Sequence, residues 1–162
     1  MKMVNVSRED LIRRFLAGER DFSGIHIYLE SDLSNLNLSG IHMIETALHE
    51  LYLGGANLSG ANLSNAGMSM VNLENADLTN ANLSGANLFL GYLSNVNFTS
   101  ANLTGANLSS AELQNANFSN ANLSGVDFTN SNLRNASFKG ANLNGTIFSN
   151  TIMPDGSIRS SN

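Results

Sequence analysis

Apolar residues return along this chain at every fifth position. From Ala56 the sequence divides into fives, Ala-Asn-Leu-Ser-Gly, Ala-Asn-Leu-Ser-Asn and onward without a break to Asn150. All nineteen third positions from Leu58 to Phe148 are apolar: thirteen Leu, five Phe and Met68. First positions are small, mostly Ala, with Val71, Gly91, Val96, Val126, Ser131 and Thr146 as variants. A period of five matches neither the 3.6 of a helix nor the 2 of a strand, so neither element can gather these residues on one face. The chain must therefore turn every five residues. Fifth positions are rich in Gly and Asn, as at Gly60, Asn65, Asn75, Asn80, Gly85, Asn95 and Gly105, residue types that tolerate the positive φ of a tight corner. Met70 and Leu90 depart from that rule, twenty residues apart, and predict a corner there that avoids positive φ.

The order of small residue, Asn or Asp, Leu or Phe, Ser or Thr, then a variable position often Gly is matched by Ala101-Asn102-Leu103-Thr104-Gly105 and most neighbouring fives. It resembles the pentapeptide-repeat family over roughly residues 21–153. The resemblance implies an all-β solenoid, a right-handed quadrilateral β-helix of twenty residues per turn. Third and first residues of each five would then point inward and the other three outward. Phe98, Phe118 and Phe138 recur at intervals of twenty, as do Phe128 and Phe148, and the two series are offset by ten. On a four-sided coil they become two ring stacks on opposite walls, each pair adding about 0.5 to 1.5 kcal/mol beyond burial.

Upstream the frame continues through fives centred on Leu33, Leu38, Met43, Leu48 and Leu53, while candidates centred on Phe22 and Ile27 run one residue out of phase. A bulge or loosened corner is expected near Leu29 and Glu30. Residues 1–20 form an N-terminal segment. Ser7 with Asp10 reads as a helix N-cap, Leu11, Ile12, Phe15 and Leu16 as one apolar face, and Gly18 as a stop. This predicts a short α-helix over 8–17 that caps the first coil, the alternative being a helix that binds a partner. At 154–162 a turn and tail follow the solenoid, with Pro154-Asp155-Gly156 as the turn and Ile158 available to cover the core. This ending is similar to those of cyanobacterial members of the family.

Charge narrows the functions open to such a coil. Arg and Lys cluster in residues 1–20, as Lys2, Arg8, Arg13, Arg14 and Arg20, whereas residues 21–133 hold nine carboxylates and neither basic type. Nucleic-acid binding by the body is disfavoured. Neither an apolar leader nor an apolar run near twenty residues is present, and cysteine is absent, so a cytoplasmic protein with no membrane partner is the expectation.

No catalytic, cofactor-binding or metal site is expected. His26, His42 and His49 fall at spacings that match no zinc pattern, and the many Ser and Thr hydroxyls lie at outward positions without a paired base. The unusual surface feature is apolar. Phe89, Leu90 and Tyr92 stand where the repeat gives Ser, Gly or Asn, Met70 lies one coil away from Leu90, and His49 and Tyr52 one coil further. Such a stripe reads either as an interaction patch or as tolerated replacements on a permissive lattice. A rigid, non-enzymatic scaffold for a protein partner is the leading expectation, as a monomer or a weak end-to-end or side-to-side dimer. The resemblance implies an alternative, a DNA-mimicking inhibitor or protector of DNA gyrase or topoisomerase. At roughly 4.8 Å per coil the body from 21 to 133 is about 27 Å long, and duplex DNA of that length carries about 16 charges. Nine carboxylates spread over several columns fall short of it. An ice-binding array is not supported either, since the wall of Ser59, Thr79, Thr99, Ser119 and Lys139 is mixed.

Overall fold

The computed structural model describes residues 5–27 and 31–160. Parallel β-bridges join each residue at the second position of a five to the residue twenty further on, building four ladders that close one lap of chain every twenty residues. One ladder runs Asn37, Asn57, Asp77, Asn97, Asn117, Ser137; the next contains His42 and Asn62, the third Ala47 and Gly67, and the fourth Tyr52 and Asn72. The two backbone bonds of each rung repeat faithfully, as in Leu83 N–H to Asn102 O at 2.7 Å and Asn102 N–H to Ala81 O at 2.9 Å.

Corners follow from the same period. From Ala56 to Thr146 the amide of each first residue donates to the carbonyl of the third residue of the preceding five, as Ala61 N–H does to Leu58 O at 3.0 Å. Gly60, the third residue of that four-residue turn, has φ of 66°. Positive φ at that position alone of the two central residues is the type II pattern, which explains the run of Gly and Asn. The second-position Asn locks the turn from outside, because its Oδ1 accepts the amide two residues on, as Asn97 does from Thr99 at 3.1 Å. Its Nδ2 then donates to the coil before, as Asn102 does to Asn82 and Asn82 to Asn62, both at 3.2 Å.

The expected exemption of Met70 and Leu90 from positive φ is overturned. They have φ of 56° and 57°, and Glu50 on the same corner has 58°. Every neighbouring rung fixes the register, so the lattice imposes its corner on whatever residue stands there.

Inside, the third-position Leu and Phe side chains and the small first-position residues form one buried column. Phe98, Phe118 and Phe138 stack in series at 5.1 and 5.2 Å, Phe128 and Phe148 stack at 5.5 Å, and the two series meet edge to face across the axis. Buried hydroxyls at first positions are satisfied: Thr146 Oγ1 donates to Leu123 O and Thr151 Oγ1 to Phe128 O. The column opens at its C-terminal end at Leu143, a third-position residue expected inside but exposed, whereas Phe148 is buried with Arg159 over its ring.

Strand β1 (Asn5–Val6) pairs in parallel with β2 (His26–Ile27), an extra rung that the sequence pattern did not reveal. Helix α1 (Arg8–Leu16) follows, with Ser7 Oγ accepting the Asp10 amide and Ala17 as C-cap. Leu11 and Phe15 are buried and Ile12 packs against the core. Leu16, expected on the same face, is 79% exposed. It stands at the rim of a groove shared with Ile12, Phe15, Leu36 and Leu38. Arg14 lies over the Phe22 ring at 5.0 Å, so the cap is partly cationic. The one-residue phase change is real: Asp21 and His26 pair with residues twenty-one further on, Asp32 with one twenty further on. The bulge expected near Leu29 and Glu30 lies outside the described residues. At the other end β3 (Thr151–Ile152) and β4 (Ile158–Arg159) form an antiparallel hairpin around Pro154-Asp155-Gly156. Ile158 does not cover the core, being 67% exposed; the Arg159 guanidinium lies 5.1 Å over Phe148 instead.

Candidate functional site

Three successive laps bring the unusual outward residues to one corner and the wall beside it. His49, Ser69 and Phe89 precede the corner, Glu50, Met70 and Leu90 form it, and Tyr52, Asn72 and Tyr92 lie in one ladder just after it. Tyr52, Met70, Phe89, Leu90 and Tyr92 are exposed by 38 to 53%. Each is held by a rung of backbone bonds, so the patch is rigid: Met70 N–H donates to Phe89 O at 2.9 Å and Tyr92 N–H to Val71 O at 2.9 Å.

Within the patch, Glu50, Tyr52, Met70, Asn72 and Tyr92 line an open groove of about 320 Å³. Two of these residues, Glu50 and Asn72, are not part of the apolar stripe: Asn72 fits its repeat position, and Glu50, though it stands where Gly or Asn is usual, is polar. Their relevance comes from the tyrosines one coil away. Elsewhere second-position Asn side chains bond to one another from coil to coil, but Tyr52 and Tyr92 interrupt the series on both sides of Asn72. Asn72 keeps the local half of the pattern, its Oδ1 accepting the Glu74 amide at 3.0 Å. Its Nδ2 makes no hydrogen bond among the described residues.

His49 belongs to the corner by position but not to the groove. Its Nδ1 is 2.6 Å from Ser69 Oγ, and its ring fills the space that a side chain at Gly67 would take, with Nε2 2.6 Å from the place of a Cβ there. The expectation that no hydroxyl has a base beside it fails for Ser69. No carboxylate bonds to the far side of the imidazole among the described residues, so the pair lacks the orienting acid of a nucleophilic triad. No three His, Asp or Glu residues gather in a way that could hold a metal ion among those described.

Carboxylates surround the groove. In the tyrosine ladder Asp32 precedes Tyr52 and Glu112 follows Tyr92, while Glu50 and Glu74 stand at the two sides. The Asp32 carboxyl sits below the usual carboxylate range, held there by hydrogen bonds from the Ser34 hydroxyl and amide. Glu112 Oε2 accepts from Gln114 at 2.7 Å and Asn132 at 3.3 Å. The Glu50 and Glu74 carboxylates bond to no described residue.

Two family models match the chain, "Pentapeptide repeat region" over residues 71–148 and "Pentapeptide repeats (8 copies)" over residues 30–65. Among solved structures, the chain is similar to HetL, a pentapeptide repeat protein involved in heterocyst differentiation regulation in the cyanobacterium Nostoc sp. strain PCC 7120. The two are 24% identical over 95% of this chain and 100% of that one, with a TM-score of 0.40. A pentapeptide repeat protein of the Arabidopsis thaliana thylakoid lumen is 38% identical over 64% of this chain and 68% of its own, with a TM-score of 0.31. Full-length QnrB1, a plasmid-mediated fluoroquinolone resistance protein, is 17% identical over 88% of each chain, with a TM-score of 0.36. No curated protein matches. No helix among the described residues is long and apolar enough to cross a membrane.

Proposed function

The chain belongs to the pentapeptide-repeat family, whose fold is the right-handed quadrilateral β-helix, and from that premise we propose that it is a non-enzymatic scaffold docking a protein partner at the Glu50–Met70–Leu90 corner. One observation carries the reading. Three successive laps place a large or charged side chain at φ near 57° on the same corner, where Asn or Gly would sit without strain. A left-handed conformation disfavours such residues by roughly 1 to 2 kcal/mol each. Backbone strain of this kind gathers at functional sites, and here it holds the apolar faces of Met70 and Leu90 outward beside Tyr52, Phe89 and Tyr92. A cytoplasmic address is part of the proposal.

The test is capture of partners from the native cell on the wild-type protein and on the triple variant Phe89→Ser, Leu90→Asn, Tyr92→Asn. All three changes restore residues that the repeat accepts, so the coil should stay intact by circular dichroism. Loss of a captured partner supports the proposal; undiminished retention in the triple variant rejects it.

Gyrase protection by DNA mimicry is the weaker reading. Glu45, Glu50, Glu74, Asp77, Glu112 and Asp127 do not share one strip along the coil. Inhibition or protection of gyrase supercoiling at low micromolar protein would reinstate it.

A further inference from the structure

We propose that the gap between Tyr52 and Tyr92 is a slot for one arginine side chain of a basic partner segment, closed at its side by Glu50. The inference rests on the docking corner above and names the chemistry that the corner accepts.

The rung spacing sets the width. Residues in successive coils of one ladder are about 4.8 Å apart, so Tyr52 and Tyr92 are separated by roughly 10 Å with Asn72 between them. Elsewhere in this molecule aromatic rings one coil apart stack at 5.1 and 5.2 Å. Two aromatic residues two coils apart thus leave room for one planar group at stacking distance from both. Asn72 lines that room without filling it, because its side chain is shorter than either tyrosine and its Oδ1 is engaged by the Glu74 amide. The open groove lined by both tyrosines, Asn72, Met70 and Glu50 is the result.

Charge selects the planar group. Glu50 lines the slot, Glu74 and Glu112 follow Asn72 and Tyr92 on the same side of the coil, and no Lys or Arg occurs between residues 21 and 133, while Asp32, one coil before Tyr52, has Arg8 beside it. Glu50 and Glu74 are not engaged by any described residue. A guanidinium is flat, permanently cationic, stacks on aromatic faces and pairs with a carboxylate through a fork of N–H donors. An ammonium has the charge without the plane, and an anionic group would meet the Glu50 carboxylate. Met70 and Leu90 beside the slot suit apolar residues flanking the arginine, and the unused Asn72 Nδ2 can donate to a carbonyl of the incoming segment.

The experiment uses the full chain with ring-labelled tyrosine and an acetylated Leu-Arg-Gly-Leu-Arg amide peptide, with lysine and citrulline versions as controls. The arginine peptide is expected to shift the ring resonances of Tyr52 and Tyr92. Citrulline, isosteric but neutral, should bind at least about tenfold more weakly, and lysine several-fold more weakly. Glu50→Gln should weaken the arginine peptide. Asn72→Tyr should fill the slot with a third stacked ring and abolish its binding while the melting temperature holds. Equal binding of the citrulline peptide, undiminished binding to Asn72→Tyr, or no ring shift at millimolar peptide would each overturn the proposal. The two readings fail separately. If the arginine peptide does not bind yet the triple variant loses its captured partner, the corner docks something other than arginine. If the peptide binds but capture is unaffected by the triple variant, the slot is a cation site and the docking corner is wrong.

Discussion

Phe118 stacks on Phe98 with ring centroids 5.1 Å apart and planes 5° from parallel, one lap of the coil separating them in sequence. Phe118 also stacks on Phe138 at 5.2 Å and meets Phe128 edge to face at 5.7 Å. Phe118→Ala is therefore expected to destabilise the protein by about 3 to 5 kcal/mol. Phe138, partly exposed near the open end, should lose less on the same change. Urea unfolding of the two variants checks the order, and a larger loss at Phe138 would mean that the C-terminal end is covered in solution.

Asn97 serves two coils at once. Its Oδ1 accepts the Thr99 amide and hydroxyl, and its Nδ2 donates to Thr79 Oγ1 at 2.9 Å. Asn97→Ala should weaken the fold by about 1 to 2 kcal/mol and raise hydrogen exchange first at the Thr99 amide. Unchanged exchange there would show that the outer carboxamides decorate the turn without holding it.

Acid should loosen the helix before the coil. The Asp10 carboxyl is held below its ordinary value chiefly by its hydrogen bond from Arg13, and that of Glu19 by its hydrogen bonds from Arg14. With folded-state values depressed, their contribution is complete above the unfolded-state range near pH 4 and is lost as pH falls through the lower folded-state values. Amide exchange protection in α1 should therefore fall as the pH drops below about 4 while the Phe98 to Phe138 coils keep theirs. Simultaneous loss in both would contradict the sign or the assignment. Ser7→Ala, which removes the N-cap acceptor, should lower helix protection at neutral pH by about 1 kcal/mol.

The coil was legible because its signal is one-dimensional: a residue type that must point inward at every fifth position leaves the same mark wherever it occurs. Interactions between laps leave no such mark. The stripe of Tyr52, Met70, Phe89, Leu90 and Tyr92 can be projected from numbering alone, yet Glu50 and Asn72, which complete the groove, are polar and carry no apolar signal. His49 projects onto the same stripe, but the missing side chain at Gly67 gives its ring a seat on the next coil of its own wall. Met70 and Leu90 misled for a related reason. A residue's own preference predicts its φ only when it decides the turn, and here some twenty rungs of bonded backbone decide it.

Ends were read less well than the middle. Leu143 is exposed although it occupies an inward repeat position, and Leu16 and Ile158 are exposed although each is apolar and lies at an end of the coil. The rung contributed by β1 went unseen because two residues carry no period.

The most direct measurement is the melting temperature and partner affinity of the double variant Met70→Asn, Leu90→Asn. If the corner trades stability for a binding surface, relief of two left-handed strains should raise stability by roughly 1 kcal/mol or more, while binding to the captured partner weakens. A variant that is less stable, or that binds its partner as tightly as the wild type, would contradict the account.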